Sequence, residues 1–143
     1  MLIRYMNELD LQKVYEIECS IFSLPWNIDD FKKSLNNKDN LYLVVEEQGG
    51  ILGYCGLWGV VGEGQITNVA VGKQYQGQGI GKAMLTKLIE LGRQHGLEAF
   101  TLEVRESNLS AIGLYHKLGF SDAGIRKNFY EAPVENALIM WLN

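Results

Sequence analysis

The chain has 143 residues, of which 47% are hydrophobic and 21% charged, and its formal net charge is −4. This length fits one domain spanning residues 1–143, which is large enough to bury a core without disulfides or metals. The acidic balance argues against nucleic acid as a partner, because a nucleic-acid-binding protein needs a basic face. Two cysteines, Cys19 and Cys55, and two histidines are too scattered for a metal site, so we expect no metal.

The sequence also argues against a membrane partner. The longest apolar-leaning stretch, residues 51–61, is too short to span a bilayer, and charged residues interrupt the N-terminal segment where a signal peptide would lie. We therefore expect a cytoplasmic protein whose thiols are reduced. The oligomeric state stays open between a monomer and a weak homodimer formed through exposed strand edges.

The predicted elements follow one another as a strand, two helices, three strands, a helix, a strand, a helix and one or two strands. Alternating apolar residues predict the strands, and apolar residues at helical spacing predict the helices. This order describes one mixed α/β domain. The predicted strands are residues 2–5, 41–46, 51–58, 65–71, 100–104, 120–123 or a little beyond, and 136–142.

Capping and breaking residues set the predicted ends of the helices. Residues 22–26 break the first helix, since Pro25 among them lacks an N–H and restricts the residue before it. Gly119 ends the last helix in a left-handed conformation. Turns are expected at residues 48–50 and 62–64. The predicted helix starts are Asn7 or Asp10, Asn27, Gly81, and Ser107 or Asn108.

A glycine-rich loop follows the apolar segment Val69, Ala70 and Val71 and leads straight into a helix. The first amides of a helix have no carbonyl partner within it and carry partial positive charge. Alternate glycines let an anion approach these amides closely, so we expect a pyrophosphate site. A plain glycine-rich turn is the alternative. The loop consists of Gln76, Gly77, Gln78, Gly79, Ile80, Gly81 and Lys82.

Spacing separates this loop from two other phosphate-binding loops. The loop of nucleotide triphosphatases has four residues between its first glycine and a Gly-Lys pair, followed by Ser or Thr. Here only three residues separate Gly77 from Gly81, and Ala83 follows the lysine. The dinucleotide pattern Gly-x-Gly-x-x-Gly needs one residue more than this loop has. Neither pattern fits.

The loop instead resembles motif A of the GCN5-related N-acetyltransferase (GNAT) family, which binds the pyrophosphate of acetyl-coenzyme A (acetyl-CoA). Residues 102–120 resemble motif B, and are similar to the Leu-Glu-Val-Arg, Ser-Asn, Ala-Ile, Leu-Tyr and Leu-Gly-Phe run of the bacterial ribosomal-protein-alanine acetyltransferases, the RimI group. Residues 22–26 and 125–130 extend the resemblance over nearly the whole chain. It implies the GNAT acyl-CoA N-acyltransferase fold, a central, mostly antiparallel sheet flanked by about four helices.

The resemblance implies that Glu103 is the catalytic base and Tyr115 the catalytic acid. Side chains alternate along a strand, so Glu103 lies on the same face as Thr101 and Arg105. The alternative to a place in a cleft is that the Glu103 carboxylate lies on a solvated face. For Arg105 itself we expect a solvated rim. Tyr115 lies two helical turns after Asn108, and a place in the core is its alternative.

The resemblance also assigns the binding residues. Backbone groups of residues 69–71 pair with pantetheine, residues 76–82 bind the pyrophosphate, and Asn108 contacts the pantetheine or thioester end. Trp26 and Tyr130 line the peptide groove, with ordinary partly exposed packing as their alternative.

The implied function is acetyl-CoA-dependent acetylation of a protein N-terminus, by direct attack of the amine on the thioester. The implied acceptor is the N-terminal alanine of ribosomal protein S18, whose α-amine has a reference pKa of about 8, against about 10.4 for lysine. One alternative is acetylation of lysine, a polyamine or another small amine, and a second is a non-catalytic coenzyme A-binding module. Residues 131–136 form a shorter, more acidic connection than is usual in the family.

Overall fold

The computed structural model describes all of residues 1–143, and its elements follow the predicted order. Four α-helices accompany seven strands, which confirms the predicted mixed α/β class. The helices are α1 (Leu11–Ile21), α2 (Ile28–Leu35), α3 (Ile80–Gln94) and α4 (Leu109–Lys117). The strands are β1 (Leu2–Tyr5), β2 (Leu41–Glu47), β3 (Gly50–Val60), β4 (Glu63–Val71), β5 (Ala99–Arg105), β6 (Ser121–Tyr130) and β7 (Glu135–Leu142).

All seven strands form one sheet in the order β1-β2-β3-β4-β5-β7-β6. Every neighbouring pair is antiparallel except β4 and β5, which are parallel. Helices α1 and α2 cover one face of the sheet, where Phe31 and Tyr54 are fully buried. Helices α3 and α4 cover the other face, where Met84 and Phe100 are fully buried. The sheet is therefore a central layer with an apolar core on each side.

Strands β4 and β5 separate soon after they begin. They pair only at Glu63 with Ala99, at Gly64 with Phe100 and at Gln65 with Thr101. Beyond these positions each strand pairs only with its outer neighbour, β4 with β3 and β5 with β7. The separation opens a wedge in the middle of the sheet.

A β-bulge in β4 lies at the start of this wedge. Gly56 of β3 pairs with Asn68 and Leu57 pairs with Ile66, so Thr67 has no opposite residue. An extra residue in one strand reverses the alternation of side chains beyond it. Because of the bulge, Ile66 packs in the core beneath α3, whereas Ala70 packs in the core beneath α1 and α2.

Two sequence predictions about turns and strands were wrong. Glu63 and Gly64 belong to β4 rather than to a turn, and the turn is formed by residues 61–62. Gly64 is a close-approach glycine, because a Cβ there would lie 2.9 Å from the ring of Phe100. Strand β6 extends to Tyr130, far beyond residue 123, although its residues are exposed and mostly polar.

The predicted helix ends agree closely with the structure. Asn7 caps a short 3-10 turn, Glu8–Asp10, that leads into α1, and Asn27 caps α2. Asn108 caps α4, which is followed by Gly119 at φ +102°. No helix combines the length and apolar character needed to cross a membrane. No group of three or more His, Cys, Asp or Glu side chains is arranged to hold a metal ion.

Candidate active site

A cleft of ≈ 690 Å³ occupies the wedge between β4 and β5. One wall is the bulged part of β4, residues 66–69, and the other is the end of β5, residues 102–105. The segment after α1 and the β6–β7 turn close the two sides of one end. Six of the residues predicted for the site line this cleft: Trp26, Val69, Glu103, Asn108, Tyr115 and Tyr130.

Tyr115 reaches the cleft from α4. Its ring is buried and packs against Phe120, with the ring centroids 5.8 Å apart. Its hydroxyl has no hydrogen-bond partner in the chain. Every fully buried polar side-chain atom does have a partner, so the Tyr115 hydroxyl is accessible from the cleft that the residue lines. Burial raises the pKa of Tyr115 well above its usual value. The side chain is therefore a protonated hydroxyl, able to donate, at neutral pH.

Glu103 faces the same cleft from β5. Its carboxylate is about one-third exposed. The Nε of Arg126, a residue of β6, lies 3.7 Å from the Glu103 Oε1. An ion pair at this distance and exposure holds the carboxylate only weakly. Glu103 is thus free to accept a hydrogen bond or a proton from a molecule in the cleft.

Tyr130 and Trp26 stand at one end of the cleft, on opposite sides. Tyr130 is half-buried, and burial together with the Glu103 carboxylate raises its pKa to about 12. The Trp26 ring packs against Phe31 and Trp58, with centroid distances of 5.2 and 6.0 Å. The Tyr130 ring packs against Phe129, with the centroids 5.0 Å apart, and both Trp26 and Tyr130 line the cleft.

Arg105 is an anchor rather than the solvated rim residue that the sequence suggested. Its guanidinium donates to the carbonyl oxygens of Pro133 and Glu131, at 2.9 and 3.0 Å, and pairs with the Glu135 carboxylate at 3.2 Å. It also lies 4.5 Å from the centroid of the Tyr130 ring. Arg105 therefore fixes the β6–β7 turn that forms this end of the cleft.

The glycine-rich loop lies outside the cleft lining, at the start of α3. Gly77 and Gly79 both have φ +81°, and a Cβ at either position would meet nothing within 4 Å. The helix begins at Ile80, one residue earlier than predicted, and its cap residue Gly79 offers no side chain to the first amides. The first amides of α3 therefore have no side-chain cap within the chain, as an anion site requires.

The loop residues differ in their surroundings. The Gln76 side chain folds back to donate to the carbonyl oxygen of Val71 at 3.0 Å. A Cβ on Gly81 would lie 3.3 Å from Leu114, so α3 begins in contact with the helix that carries Tyr115. Gln78 and Lys82 make no side-chain bond to the rest of the chain, and Ala70 is buried beneath α1 and α2. The predicted anion loop thus adjoins the predicted acid.

Asn108 lines the cleft at the start of α4. Its side-chain oxygen accepts from the Ala111 amide at 3.2 Å and caps α4. Its amide nitrogen is left free to donate into the cleft that the residue lines.

Sequence reasoning missed Glu18 and Asn68, two buried polar residues that line the cleft. Glu18 accepts from the Trp26 amide at 2.9 Å and from the Tyr54 hydroxyl. The helical spacing of Val14, Glu18 and Ile21 placed this carboxylate on the apolar face of α1, and that spacing was a signal of burial.

The acetyltransferase (GNAT) family model matches residues 11–120, which is most of the chain. The chain belongs to the GNAT family. This establishes an N-acetyltransferase and confirms both the predicted fold and the family resemblance. The matched residues include both walls of the cleft, the glycine-rich loop and all of α4.

Individual GNAT proteins resemble the chain over almost its whole length. A Bacillus subtilis protein, provisionally named a ribosomal protein bS18-alanine N-acetyltransferase, is 44% identical over 98% of this chain and 93% of its own. The bS18-alanine N-acetyltransferase of Haemophilus influenzae is 38% identical over 97% and 96%. The crystal structure of the Escherichia coli ribosomal-protein-S18-alanine N-acetyltransferase superposes with a TM-score of 0.91, at 34% identity, covering 99% of this chain and 92% of that one.

Proposed function

We propose that this GNAT protein transfers the acetyl group of acetyl-CoA to the N-terminal α-amine of a protein, and that the acceptor is the N-terminal alanine of ribosomal protein bS18. One observation carries the proposal: Glu103 from β5 and Tyr115 from α4 meet in one cleft, with an anion-binding helix start beside it. The relatives named for this reaction support the choice of acceptor. Because the acceptor is a ribosomal protein, we place the reaction in the cytoplasm.

The residues present fit acetyl-CoA. The open amides at the start of α3 and the positive-φ glycines of residues 77–79 suit a pyrophosphate. The edge of β4 at residues 69–71 has no strand partner on the β5 side, so its backbone groups suit the amides of pantetheine. The free amide of Asn108 suits a carbonyl oxygen near the thioester.

Acetyl-CoA supplies an activated acetyl group and leaves as coenzyme A thiol. Glu103 removes a proton from the acceptor amine, directly or through a water molecule, so that the nitrogen lone pair is free to attack. Tyr115 donates the proton of its hydroxyl toward the departing sulfur. Its raised pKa keeps that proton in place until it is needed.

The α-amine of a polypeptide suits this site better than a lysine does. Its reference pKa of about 8 makes its deprotonation roughly 3 kcal/mol easier than that of lysine at about 10.4. Glu103, exposed to the cleft, is a sufficient base for such an amine near neutral pH. The protein needs no second copy for this chemistry, because one chain supplies every residue named, so we propose that it acts as a monomer.

The test is release of thiol from acetyl-CoA with a synthetic peptide that carries the bS18 N-terminus. The matched control is the same peptide with its α-amine blocked. The proposal expects release only with the free amine, and mass spectrometry should place one acetyl group on that amine.

Other outcomes favour the two alternatives. Release with spermidine or with a lysine side chain in the blocked peptide would replace the acceptor while keeping the reaction. Binding of coenzyme A without release from any amine would favour a non-catalytic binding module. Either result would contradict acetylation of a protein N-terminus.

A further inference from the structure

Glu18 is a buried carboxylate with no cationic partner. It lies in the last turns of α1, only 3% of its surface is exposed, and it lines the acceptor end of the cleft. The two groups that donate to it, the Tyr54 hydroxyl and the Trp26 amide, are both neutral. A buried carboxylate is costly unless its hydrogen bonds are well made, and here each carboxylate oxygen accepts from one of the two donors.

The two donors come from different elements of the fold. Trp26 closes the segment 22–26 that follows α1, and Tyr54 belongs to β3. One carboxylate thus ties the loop segment 22–26 to β3, a central strand of the sheet.

We infer that Glu18 is a positioning residue for the acceptor, which holds segment 22–26 and the Trp26 ring in place against the cleft. The inference rests on the proposed function, because it assigns this end of the cleft to the acceptor peptide. Glu18 acts through Trp26 and does not touch the reacting atoms. The geometry of its side chain, not its charge, is the property that matters.

Two conservative substitutions separate geometry from charge. Glu18→Gln removes the charge and keeps the length of the side chain. The glutamine amide oxygen can accept from the Trp26 amide, and its amide nitrogen can donate to the Tyr54 hydroxyl oxygen. Glu18→Asp keeps the charge but is one methylene shorter, so it cannot bond Trp26 and Tyr54 together. Glu16→Asp is the matched control, since Glu16 is an exposed residue of the same helix.

We expect Glu18→Asp to raise the KM for the bS18 N-terminal peptide by about tenfold, since small displacements of positioning groups are costly. Glu18→Gln should stay within about twofold of the wild type, like Glu16→Asp. The affinity for acetyl-CoA, measured by calorimetry, should be unchanged in all three variants. A Glu18→Gln variant that is impaired more than Glu18→Asp would overturn the inference, and so would a normal peptide KM in Glu18→Asp.

Hydrogen exchange of the Trp26 amide gives a second readout that needs no substrate. This amide donates to Glu18, so its exchange should accelerate in Glu18→Asp and stay slow in Glu18→Gln. If the wild-type protein acetylates no peptide, the proposed function fails, while the exchange result still decides whether Glu18 holds the segment. If the wild type acetylates the peptide and Glu18→Asp changes neither KM nor exchange, the proposed function stands and this inference fails.

Discussion

Replacing Tyr115 with Phe tests the proposed acid with little disturbance of the fold. The ring keeps its packing against Phe120, and the hydroxyl loses no partner in the chain, because it has none. The free energy of unfolding should therefore change by less than about 1 kcal/mol. Tyr115→Ala would not separate the proposed acid role from the packing role, since loss of a buried aromatic ring lowers the free energy of unfolding by about 3 to 5 kcal/mol.

The effect on turnover should be much larger. Loss of a positioned general acid lowers the rate by about 10²- to 10⁴-fold. This corresponds to about 3 to 5 kcal/mol of activation free energy. Because the hydroxyl is protonated in the ground state, the affinity for acetyl-CoA and the KM for the peptide should change little. The loss should therefore fall on kcat.

Three measurements on Tyr115→Phe check this reasoning: kcat and KM from thiol release, a thermal melt, and calorimetric binding of acetyl-CoA. The raised pKa adds a further expectation, since the wild-type hydroxyl should show no titration below the ordinary tyrosine pKa of about 10. A variant that melts like the wild type and keeps nearly its full kcat would refute the assignment of Tyr115 as the acid.

Three further predictions test other parts of the molecule. Glu103→Gln should lower kcat by about 10²-fold with steady acetyl-CoA affinity, and unchanged steady-state kinetics would remove Glu103 from the mechanism. Gly79→Ala should weaken acetyl-CoA binding in calorimetry, because the added methyl group enters the open space at the start of α3. Gly96→Ala is the control, since Gly96 has a similar φ of +89° and equally open space. The two variants should lose comparable stability, but Gly96→Ala should bind acetyl-CoA normally. The pKa of Asp10 is lowered chiefly by its hydrogen bond from Arg4, so its contribution to stability is present above about pH 4 and is lost as the pH falls through the lower folded pKa. Asp10→Asn should flatten the acid side of the stability curve in urea titrations, and an unchanged slope would contradict this.

Local signals predicted most of the fold. The caps Asn27 and Asn108 and the break at Pro25 placed three helix boundaries, because capping and proline act within a few residues. Gly64 was misread for a physical reason. A glycine that admits the ring of Phe100 looks, in sequence, like a glycine that forms a turn.

The remaining errors involve residues distant in sequence. Arg105 becomes an anchor only because the β6–β7 turn, about 28 residues later, brings Pro133 and Glu135 beside it. The donors that make Glu18 tolerable in the interior lie 8 and 36 residues away, at Trp26 and Tyr54. Periodicity can indicate burial, but it cannot name partners on other strands.

The separation of β4 and β5 explains why the site lies where it does. Each strand keeps a full antiparallel partner on its outer side, so the sheet tolerates the loss of pairing after Gln65 and Thr101. The inner edges beyond these residues expose backbone donors and acceptors that no strand satisfies, and such groups need partners from solvent or from a bound molecule. A long substrate with amide groups can satisfy them, and we propose that its reactive end then lies between Glu103 on one wall and Tyr115 on the adjoining helix. On this reasoning, the bulge at Thr67 belongs to the binding site, because it sets which backbone and side-chain groups of β4 face the cleft.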